Sequence, residues 1–411
     1  MRDTIVGIDI GTTKICTVVG NVDRDEGLMI TGIGRVPSRG LRKGKVCDLE
    51  RTISSIRESK MQAEAISNSE IVSAYVNVTG AHIHAERSNA IVAVTDPQRG
   101  ITLEDAENAL EQAQHIDIPG GRRLIDVQVR EYIVDGQVGI SDPVGMTGMR
   151  LEVNVLLVTA EISHLENIYR AVNHAGIDVD NLIVEPVASA EAVLSQEERE
   201  SGVAIVDIGG GTTDLAVYRD GVLDHLDIFP VGGDHFDSDL SYGIGVTTRQ
   251  AEHLKIKLGG IGREFVSSED IIEITKSGDR KEVIPLKIIP EIIYPRMEEI
   301  FSLIHASLNK GGYLKKLPSG LVITGGTSLL PGITEMASEV FGVQARIGYP
   351  RDIGGLSEES RNPIYSTSIG LVKIGAMDLE EKTASGIPSG MNKILESADS
   401  IWKKTLKIIL R

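Results

Sequence analysis

Two stretches of the chain share one pattern of apolar and polar positions. In the later stretch, residues 203–206 are all apolar and predict a buried strand, Asp207 closes it, and a glycine-rich loop leads into a second strand that ends in a turn near residue 221. The earlier stretch, residues 5–20, repeats the order of apolar run, aspartate, glycine and paired threonines. Each stretch therefore predicts a β-hairpin with a carboxylate at the end of its first strand.

A hairpin of this kind has the chemistry to bind a nucleotide. Glycine has no Cβ atom, so its backbone can approach a ligand closely, and loop N–H groups can bind phosphate oxygens. A strand-end carboxylate such as Asp9 or Asp207 can hold Mg²⁺, usually through water. A single hairpin with Gly-Gly-Gly-Thr is more often an ordinary turn. Two of them in one chain favour two related halves that face one nucleotide.

The pattern changes character near His82. Before it, the periodicity predicts a compact α/β unit with a third strand at 28–36, a helix from Asp48 to about Ile66, and a strand at 71–79. Beyond it, the predicted elements are strands at 83–94, 124–135 and 149–160, a helix at 102–115 that opens with the capping-box spacing of Thr102 and Asp105, and a glycine- and proline-rich loop at 136–148. Together they predict an inserted α+β subdomain.

Polar residues at three places after the insertion have a local structural interpretation, and Glu185 also allows a functional one. Ser163 and Glu166 have the spacing of a full capping box and predict the start of a helix. Glu185 precedes the helix predicted at 187–194, where it either lies near a cleft or complements the helix dipole. Glu252 and Lys255 share one face of a helix, and a surface ion pair is the simpler interpretation.

Two further glycine loops have the character of ligand-binding loops. Gly232 and Gly233 follow a strand at 227–230, and Gly325 and Gly326 follow a buried strand at 320–324. Glycines there would let an aromatic ring lie against the backbone, and the helix after the second loop would present its N-terminus. Between the two loops, residues 291–309 predict a long amphipathic helix that Pro295 should kink or begin.

The C-terminal residues predict a polar linker followed by an amphipathic helix. Residues 378–396 contain the linker, and residues 397–411 place an apolar arc opposite a cationic one at helical spacing. The membrane-facing candidates are Ile401, Trp402, Lys403, Lys404, Leu406, Lys407, Ile409 and Leu410. Trp and several cations without a neighbouring anion favour a helix lying in an anionic leaflet over one docked on the protein body.

Composition narrows the class of protein. A length of 411 residues predicts two or three domains, and the formal net charge of −17 argues against nucleic acid as a partner. Cys16 and Cys47 imply no disulfide framework. The N-terminus has no secretory signal pattern, and no apolar run reaches the length of a transmembrane helix, so we expect a cytosolic protein.

The three loop regions, 5–20, 203–221 and 321–331, resemble the nucleotide site shared by actin, sugar kinases and the major heat-shock chaperones. Within that superfamily, the whole chain resembles the FtsA family of bacterial cell-division proteins. The resemblance rests on residues 75–84 (YVNVTGAHIH), residues 142–152 (DPVGMTGMRLE) and the amphipathic tail. Residues 127–130 depart from the family, which often has a proline-containing segment there.

The resemblance implies an α/β, actin-like two-domain fold, with a duplicated mixed-sheet ATPase core, an inserted α+β subdomain and a C-terminal amphipathic helix. The implied subdomains are IA (1–84, 161–194 and 361–377), IC (85–160), IIA (195–229 and 311–360) and IIB (230–310). ATP and Mg²⁺ are the implied cofactors, with Asp9 and Asp207 at the metal and Glu185 ordering a water for at most weak hydrolysis. The implied nucleotide-binding residues are Gly11, Thr12, Thr13, Lys14, Gly209, Gly210, Gly211, Thr212, Thr213, Gly233, Glu252, Lys255, Gly325, Gly326 and Ser328.

The resemblance also implies partners and a location. FtsA-like proteins form actin-like filaments and tether the tubulin-like FtsZ to the inner membrane at the division septum, together with other division proteins. The FtsZ C-terminal peptide would dock in subdomain IIB, with contacts at Arg296 and Glu299.

Other members of the superfamily remain as alternatives. A sugar or acetate kinase would need a substrate pocket between the domains, and the sequence offers no convincing set of residues for one. A chaperone would need a substrate domain after the nucleotide domain. A pilus-assembly relative is the nearest competitor, and the basic amphipathic tail argues against it.

Overall fold

A computed structural model describes residues 3–23, 27–116, 118–262, 270–276 and 280–384. The strands are β1 (Asp3–Ile10), β2 (Lys14–Asp23), β3 (Gly27–Pro37), β4 (Leu41–Arg42), β5 (Lys45–Val46), β6 (Ser73–Val78), β7 (Ile83–Ala93), β8 (Arg122–Val134), β9 (Gln137–Ile140), β10 (Arg150–Glu161), β11 (Asp178–Val184), β12 (Val203–Ile208), β13 (Thr213–Arg219), β14 (Val222–Phe229), β15 (Ile271–Lys276), β16 (Arg280–Pro285), β17 (Leu321–Thr324), β18 (Ala345–Ile347) and β19 (Gly354–Gly355). The helices are α1 (Leu49–Ser67), α2 (Leu103–Gln114), α3 (Ile162–His174), α4 (Glu185–Val193), α5 (Gln196–Ser201), α6 (Gly233–Ile244), α7 (Thr248–Leu258), α8 (Ile288–Lys310), α9 (Ile333–Phe341), α10 (Ser357–Ser360) and α11 (Ser366–Ala384).

Two mixed sheets repeat one plan. The first has the order β11-β6-β1-β2-β3-β19, and the second has the order β14-β13-β12-β17-β18. In each, an antiparallel meander of three strands is extended by parallel strands on the side of its first strand. The register also repeats, because Asp9 pairs with Cys16 and Asp207 pairs with Asp214 at the tip of each hairpin. The sequence repeat is thus a repeat of structure.

Branched aliphatic side chains fill the cores of both sheets. Ile8, Ile15 and Val18 on the first sheet are completely buried, as are Ile205 and Val206 on the second. The side chains on both faces of these strands are buried, because helices cover both faces of each sheet. Helix α11 packs on β1 and β2 and also runs along α4, so these two helices form one layer of the first domain.

A separate small sheet interrupts the first domain between β6 and α3. Its order is β7-β10-β8-β9, all pairs are antiparallel, and α2 packs against β7 and β10. Tyr132, Leu151 and Val153 are fully buried in its own core. Strands β7 and β8 also contact β14, so the insertion rests against the edge of the second sheet.

Several predicted boundaries agree with the structure and others do not. Thr102 and Asp105 form the expected capping box, and Asp48 caps α1. The capping box predicted at Ser163 is wrong, because α3 begins at Ile162 directly after β10 and its N-cap, Glu161, makes no side-chain cap hydrogen bond. Pro295 does not begin α8, which already starts at Ile288.

The remaining differences are short elements and one long helix. The loop predicted at 136–148 contains β9, and α5 was not predicted at all, although Ser195 and Glu198 form its capping box. Strand β19 pairs with β3 of the first sheet, although the sequence placed it in the second domain. Helix α11 continues to Ala384 and so includes the first seven residues assigned to the linker.

The amphipathic tail at 397–411 lies outside the described residues. Within the described ranges, no helix combines the length and the apolar character needed to cross a membrane.

Candidate functional site

The loops of the two hairpins lie directly against each other. A Cβ atom built on Gly210 would lie 1.6 Å from the Thr13 hydroxyl oxygen, and one on Gly211 would lie 2.4 Å from that of Thr12. The Thr13 hydroxyl also donates to Asp234 on α6 of the second domain, at 3.4 Å. Glycine at positions 210 and 211 permits this close approach, and the two loops meet at one shared cleft.

Asn77 connects the carboxylate of the first hairpin to Glu185. Its side-chain N–H₂ donates to Asp9 at 3.0 Å and to Glu185 at 3.1 Å, and its carbonyl oxygen accepts from the Ile10 backbone N–H at 2.7 Å. All three side chains are buried. Glu185 is the first residue of α4, so both interpretations of this position hold: it begins a helix and it faces the cleft.

Lys14 is the cation of this cluster and forms an ion pair with Asp9. Burial works to lower the pKa of Lys14, but Asp9, together with Cys16 and Glu185, raises it above its ordinary value. Lys14 therefore stays charged and neutralises one of the buried carboxylates.

The carboxylate of the second hairpin is held by hydroxyl groups. Ser189 on α4 and Thr367 on α11 both donate to Oδ2 of Asp207. Burial raises the pKa of Asp207 to about 6, and the Ser189 hydrogen bond opposes that rise. On its other side, Oδ1 faces Gly325, where a Cβ atom would lie only 2.3 Å away. The third loop thus closes on the same carboxylate.

Asp214 is a fourth buried carboxylate, which the sequence analysis did not place in the site. Thr79 donates to its Oδ1, whereas its buried Oδ2 has no hydrogen-bond partner among the residues described. Burial raises the pKa of Asp214 to about 7, and Asp207 adds to the rise. Burial, followed by Asp214, Asp9 and Asp207, raises the pKa of Glu185 well above its ordinary value.

A second part of the cleft is built around Lys255. Its ammonium group donates to the Gly233 carbonyl at 2.9 Å and to Asp237 at 2.8 Å, so it does not form the surface ion pair with Glu252 that spacing first suggested. Burial raises the pKa of Asp237 to about 6, opposed by Lys255. Gly233 in turn donates its backbone N–H to the Gly209 carbonyl at 2.8 Å, which ties this region to the second hairpin.

The third loop is a single 3₁₀ turn at Gly326–Leu329. Gly325 has φ of +84°, a conformation that favours glycine, and the Ser328 hydroxyl donates to its carbonyl at 2.7 Å. The helix predicted to present its N-terminus here, α9, begins only at Ile333. A Cβ atom on Gly233 would lie 3.0 Å from the Thr327 hydroxyl oxygen, so the third loop borders Lys255 and its neighbours.

The partner residues predicted in the second domain form an ion-pair group of their own. Arg296 on α8 donates to both carboxylate oxygens of Asp239 on α6, at 2.7 and 3.1 Å, and also pairs with Glu299. A groove of about 670 Å³ lies between α8 and α9, lined by Pro290, Tyr294 and Pro295 of α8 together with Glu335, Met336 and Glu339 of α9.

The chemistry of the cleft fits a nucleotide with Mg²⁺. Asp9, Glu185, Asp207 and Asp214 are buried together, and among the described residues Lys14 is the cation that contacts them. Such an excess of negative charge favours a bound cation. No group of three or more His, Cys, Asp or Glu in the described part of the chain is arranged to ligate a metal directly. Mg²⁺ binds through one or two carboxylates, several waters and phosphate oxygens, and the buried Asp9 and Asp207 are carboxylates of this kind.

Two mixed sheets of one plan, joined by a cleft with a hairpin from each, define an actin-like ATPase fold. The fold is similar to that of a solved PilM-PilN type IV pilus biogenesis complex, with a TM-score of 0.67, 17% identity, and coverage of 90% of this chain and 98% of that one. It is also similar to MreB5 of Spiroplasma citri bound to ADP, with a TM-score of 0.56, 14% identity, and coverage of 93% and 99%.

The chain belongs to the FtsA family. The family model for cell division protein FtsA matches residues 204–370, and the model for the SHS2 domain inserted in FtsA matches residues 80–159. Cell division protein FtsA of Pseudomonas aeruginosa is 37% identical over 396 residues, which cover 96% of this chain and 94% of that protein. The predicted family, the actin-like fold and the inserted subdomain are therefore confirmed.

Proposed function

We propose that this chain is an ATP-binding cell-division protein that polymerises and anchors FtsZ to the inner face of the cytoplasmic membrane at the septum. The observation that carries the proposal is the contact of Thr12 and Thr13 with Gly211 and Gly210, which brings two phosphate-type loops to one cleft in a chain of the FtsA family.

ATP would lie with its phosphates between the two hairpins. The N–H groups of both loops would bind phosphate oxygens, while Asp9 and Asp207 would hold the hydrated Mg²⁺. The metal would neutralise phosphate charge. Gly233 would contact the nucleoside, since it lies beside Thr327 of the third loop, and so would Lys255, which donates to the Gly233 carbonyl. Glu252, about one turn before Lys255 on α7, would join them. A ligand that touches both domains stabilises the closed arrangement, and ATP would thereby select a conformation competent for polymerisation.

Hydrolysis would depend on the buried acids. Glu185 is held by Asn77 and would order a water near the terminal phosphate. Burial, followed by the nearby carboxylates of Asp214, Asp9 and Asp207, raises the pKa of Glu185, and a carboxylate with a raised pKa is a stronger proton acceptor when it is ionised. We expect turnover to be weak at most. The proposal for Glu185 is rejected if Glu185→Gln changes neither ATP turnover nor assembly.

The surface around α8 would receive the FtsZ C-terminal peptide. The groove between α8 and α9 offers Tyr294 and Pro295 together with carboxylates such as Glu335. Outside the groove lining, Arg296 offers a cation whose present partner, Asp239, a carboxylate of the peptide could replace. The subdomain boundaries given above for IA, IC, IIA and IIB remain part of this proposal, except that residues 354–355 pair with the first sheet and so belong to the first domain. The tail at 397–411 would provide the membrane anchor through its apolar and cationic arcs.

One reconstitution experiment tests the proposed function. The full chain is mixed with vesicles of phosphatidylethanolamine and phosphatidylglycerol, with Mg²⁺-ATP and with FtsZ, and sedimented FtsZ is measured. We expect FtsZ to sediment only when the full chain, anionic lipid and ATP are all present, and Arg296→Glu to reduce its recruitment while this chain still binds the vesicles. Recruitment that needs neither the chain nor the lipid would contradict the proposal.

A further inference from the structure

Two hydroxyl groups from different helices meet at one oxygen of Asp207. Ser189 lies on α4 and Thr367 lies on α11, 178 residues apart in sequence, and both donate to Oδ2 of Asp207. Their own oxygen atoms are 3.1 Å apart. Both side chains are buried, so water cannot replace either donor without a rearrangement.

Side chains of helix α4 are hydrogen-bonded, directly or through one residue, to both strand-end carboxylates. Glu185 and Ser189 are four residues apart and therefore lie on one face, a single turn from each other. Glu185 reaches Asp9 through Asn77, whereas Ser189 bonds Asp207 directly. One rigid element thus fixes a carboxylate from each half of the repeat.

The packing of α4 on α11 leaves little freedom to these hydroxyls. A Cβ atom on Gly370 would lie 1.7 Å from the Ala188 carbonyl oxygen, so the two helices touch at their backbones. Thr367 lies about one turn before Gly370, and Ser189 directly follows Ala188. The donors are therefore placed by backbone contact.

We propose that Ser189 and Thr367 are positioning residues of the nucleotide site, which hold Oδ2 of Asp207 and so fix the orientation of the carboxylate that would hold the hydrated Mg²⁺. The inference rests on the proposed binding of Mg²⁺-ATP and extends it to residues with no contact to the ligand. Donors that orient a metal-binding carboxylate commonly change metal affinity by about 10- to 100-fold when they are removed.

A purely structural role makes a different prediction. If the hydroxyls only satisfy a buried carboxylate, their loss lowers the stability of the fold and weakens nucleotide binding whether or not Mg²⁺ is present. If they position Asp207, their loss acts on the Mg²⁺-dependent part of binding. Thr367→Ser keeps the hydroxyl and should restore the parent behaviour, whereas Thr367→Val keeps the shape and removes the donor.

The test is a titration of Mg²⁺ into the full chain with a fluorescent ATP analogue, repeated with the analogue alone in EDTA. We expect Ser189→Ala and Thr367→Val to raise the Mg²⁺ concentration for half-maximal binding by about tenfold or more, with the affinity in EDTA unchanged. Ser368→Ala is the matched control, because Ser368 is equally buried on α11 but donates to the Tyr365 carbonyl and the Cys16 sulfur.

Three results would decide against the inference. One is an unchanged Mg²⁺ titration for Ser189→Ala and Thr367→Val, with thermal unfolding showing that both variants are folded. Another is an equal loss of affinity in EDTA and in Mg²⁺. If the parent chain itself shows no Mg²⁺-dependent binding of the analogue, the proposed function fails and this inference fails with it.

Discussion

Gly210 lies so close to Thr13 that a Cβ atom at position 210 would stand 1.6 Å from the threonine hydroxyl oxygen. These residues belong to different domains, and the contact joins the two hairpins at their loops. By contrast, a Cβ atom on Gly209 would meet its nearest neighbour, the Thr212 carbonyl oxygen, at 3.5 Å. A methyl group at position 210 would therefore collide with Thr13, whereas one at position 209 would make only ordinary van der Waals contact.

Gly210→Ala should force the hairpins apart and weaken ATP binding by more than about tenfold, because the phosphate-binding N–H groups would no longer converge. Gly209→Ala should change the affinity by less than about threefold. Isothermal titration calorimetry with Mg²⁺-ATP measures both. Equal affinities for the two variants would show that the close contact has no role in binding.

An ion cluster around the buried Asp224 joins the inserted subdomain to the second domain. Asp224 on β14 is 1% exposed and pairs with Arg87 and Arg130 of the insertion and with Arg219 of its own sheet. Its backbone carbonyl also accepts from the Tyr313 hydroxyl at 3.2 Å. Removing one partner of a buried charge cluster leaves the others uncompensated.

Asp224→Ala should lower the free energy of unfolding by about 2 kcal/mol, because charge-assisted hydrogen bonds are lost, and should make the insertion more sensitive to proteolysis. Asp220→Asn is the matched control, because Asp220 is exposed and pairs only with Arg219 at 3.4 Å among the described residues, and Asn tolerates its left-handed backbone at φ +53°. Chemical denaturation and limited proteolysis give the comparison. A loss no larger than that of the control would mean that the cluster does not hold the insertion in place.

His82, at the start of the insertion, should make stability depend on pH. It is 1% exposed, neither ring nitrogen has a hydrogen-bond partner among the described residues, and burial lowers its pKa to about 3, with further lowering by His164 and Lys45. An unfolded histidine titrates near pH 6.5. As the pH falls below that value, His82 becomes protonated in the unfolded chain but stays neutral in the folded chain. The free energy of unfolding therefore falls progressively towards pH 3.

His82→Leu should therefore flatten the fall in unfolding free energy between about pH 7 and about pH 5. His174→Leu, at an exposed histidine, should leave the slope as it is in the parent chain. Denaturant titrations at several pH values provide the measurement. A parent-like slope in His82→Leu would assign the pH dependence to other groups.

The tail residues Lys403 and Lys407 should contribute to membrane binding by charge. Each cation near an anionic surface adds about 1 kcal/mol, so reversal of both to Glu should release the chain from phosphatidylglycerol vesicles. The same double reversal at Lys315 and Lys316, which are exposed on the body, is the control for net charge. Co-sedimentation that persists in the Lys403→Glu, Lys407→Glu variant would show that the tail is not the anchor.

The sequence could predict the twin hairpins because their signal is local. An apolar run, an aspartate and glycines occur within a few residues, and Asp9, Gly210 and Gly211 could be found from that pattern alone. The capping box at Thr102 was predictable for the same reason. The prediction at Ser163 was wrong because it used only the capping-box spacing of Ser163 and Glu166. In the structure β10 runs directly into α3, which has already begun at Ile162.

The residues that were missed come to the site through distant parts of the chain. Asn77 is 68 residues from Asp9, and Thr367 is 160 residues from Asp207. Each left a faint signal: an amide within the apolar strand 76–78, and three consecutive hydroxyl residues at 366–368 before an apolar helix. Neither pattern identifies the carboxylate that the residue bonds. Asn77 reaches Asp9 because β6 lies parallel to β1, and Thr367 reaches Asp207 because α11 packs on α4.

The central claim is that Asp9 and Asp207, one from each half, act on a single nucleotide. Calorimetric titration of the full chain with Mg²⁺-ATP tests it most directly, with Asp9→Asn and Asp207→Asn alongside the parent. We predict one ATP bound per chain, and a loss of at least about tenfold in affinity for each variant separately. Two independent sites, or an unchanged affinity in either variant, would contradict the account.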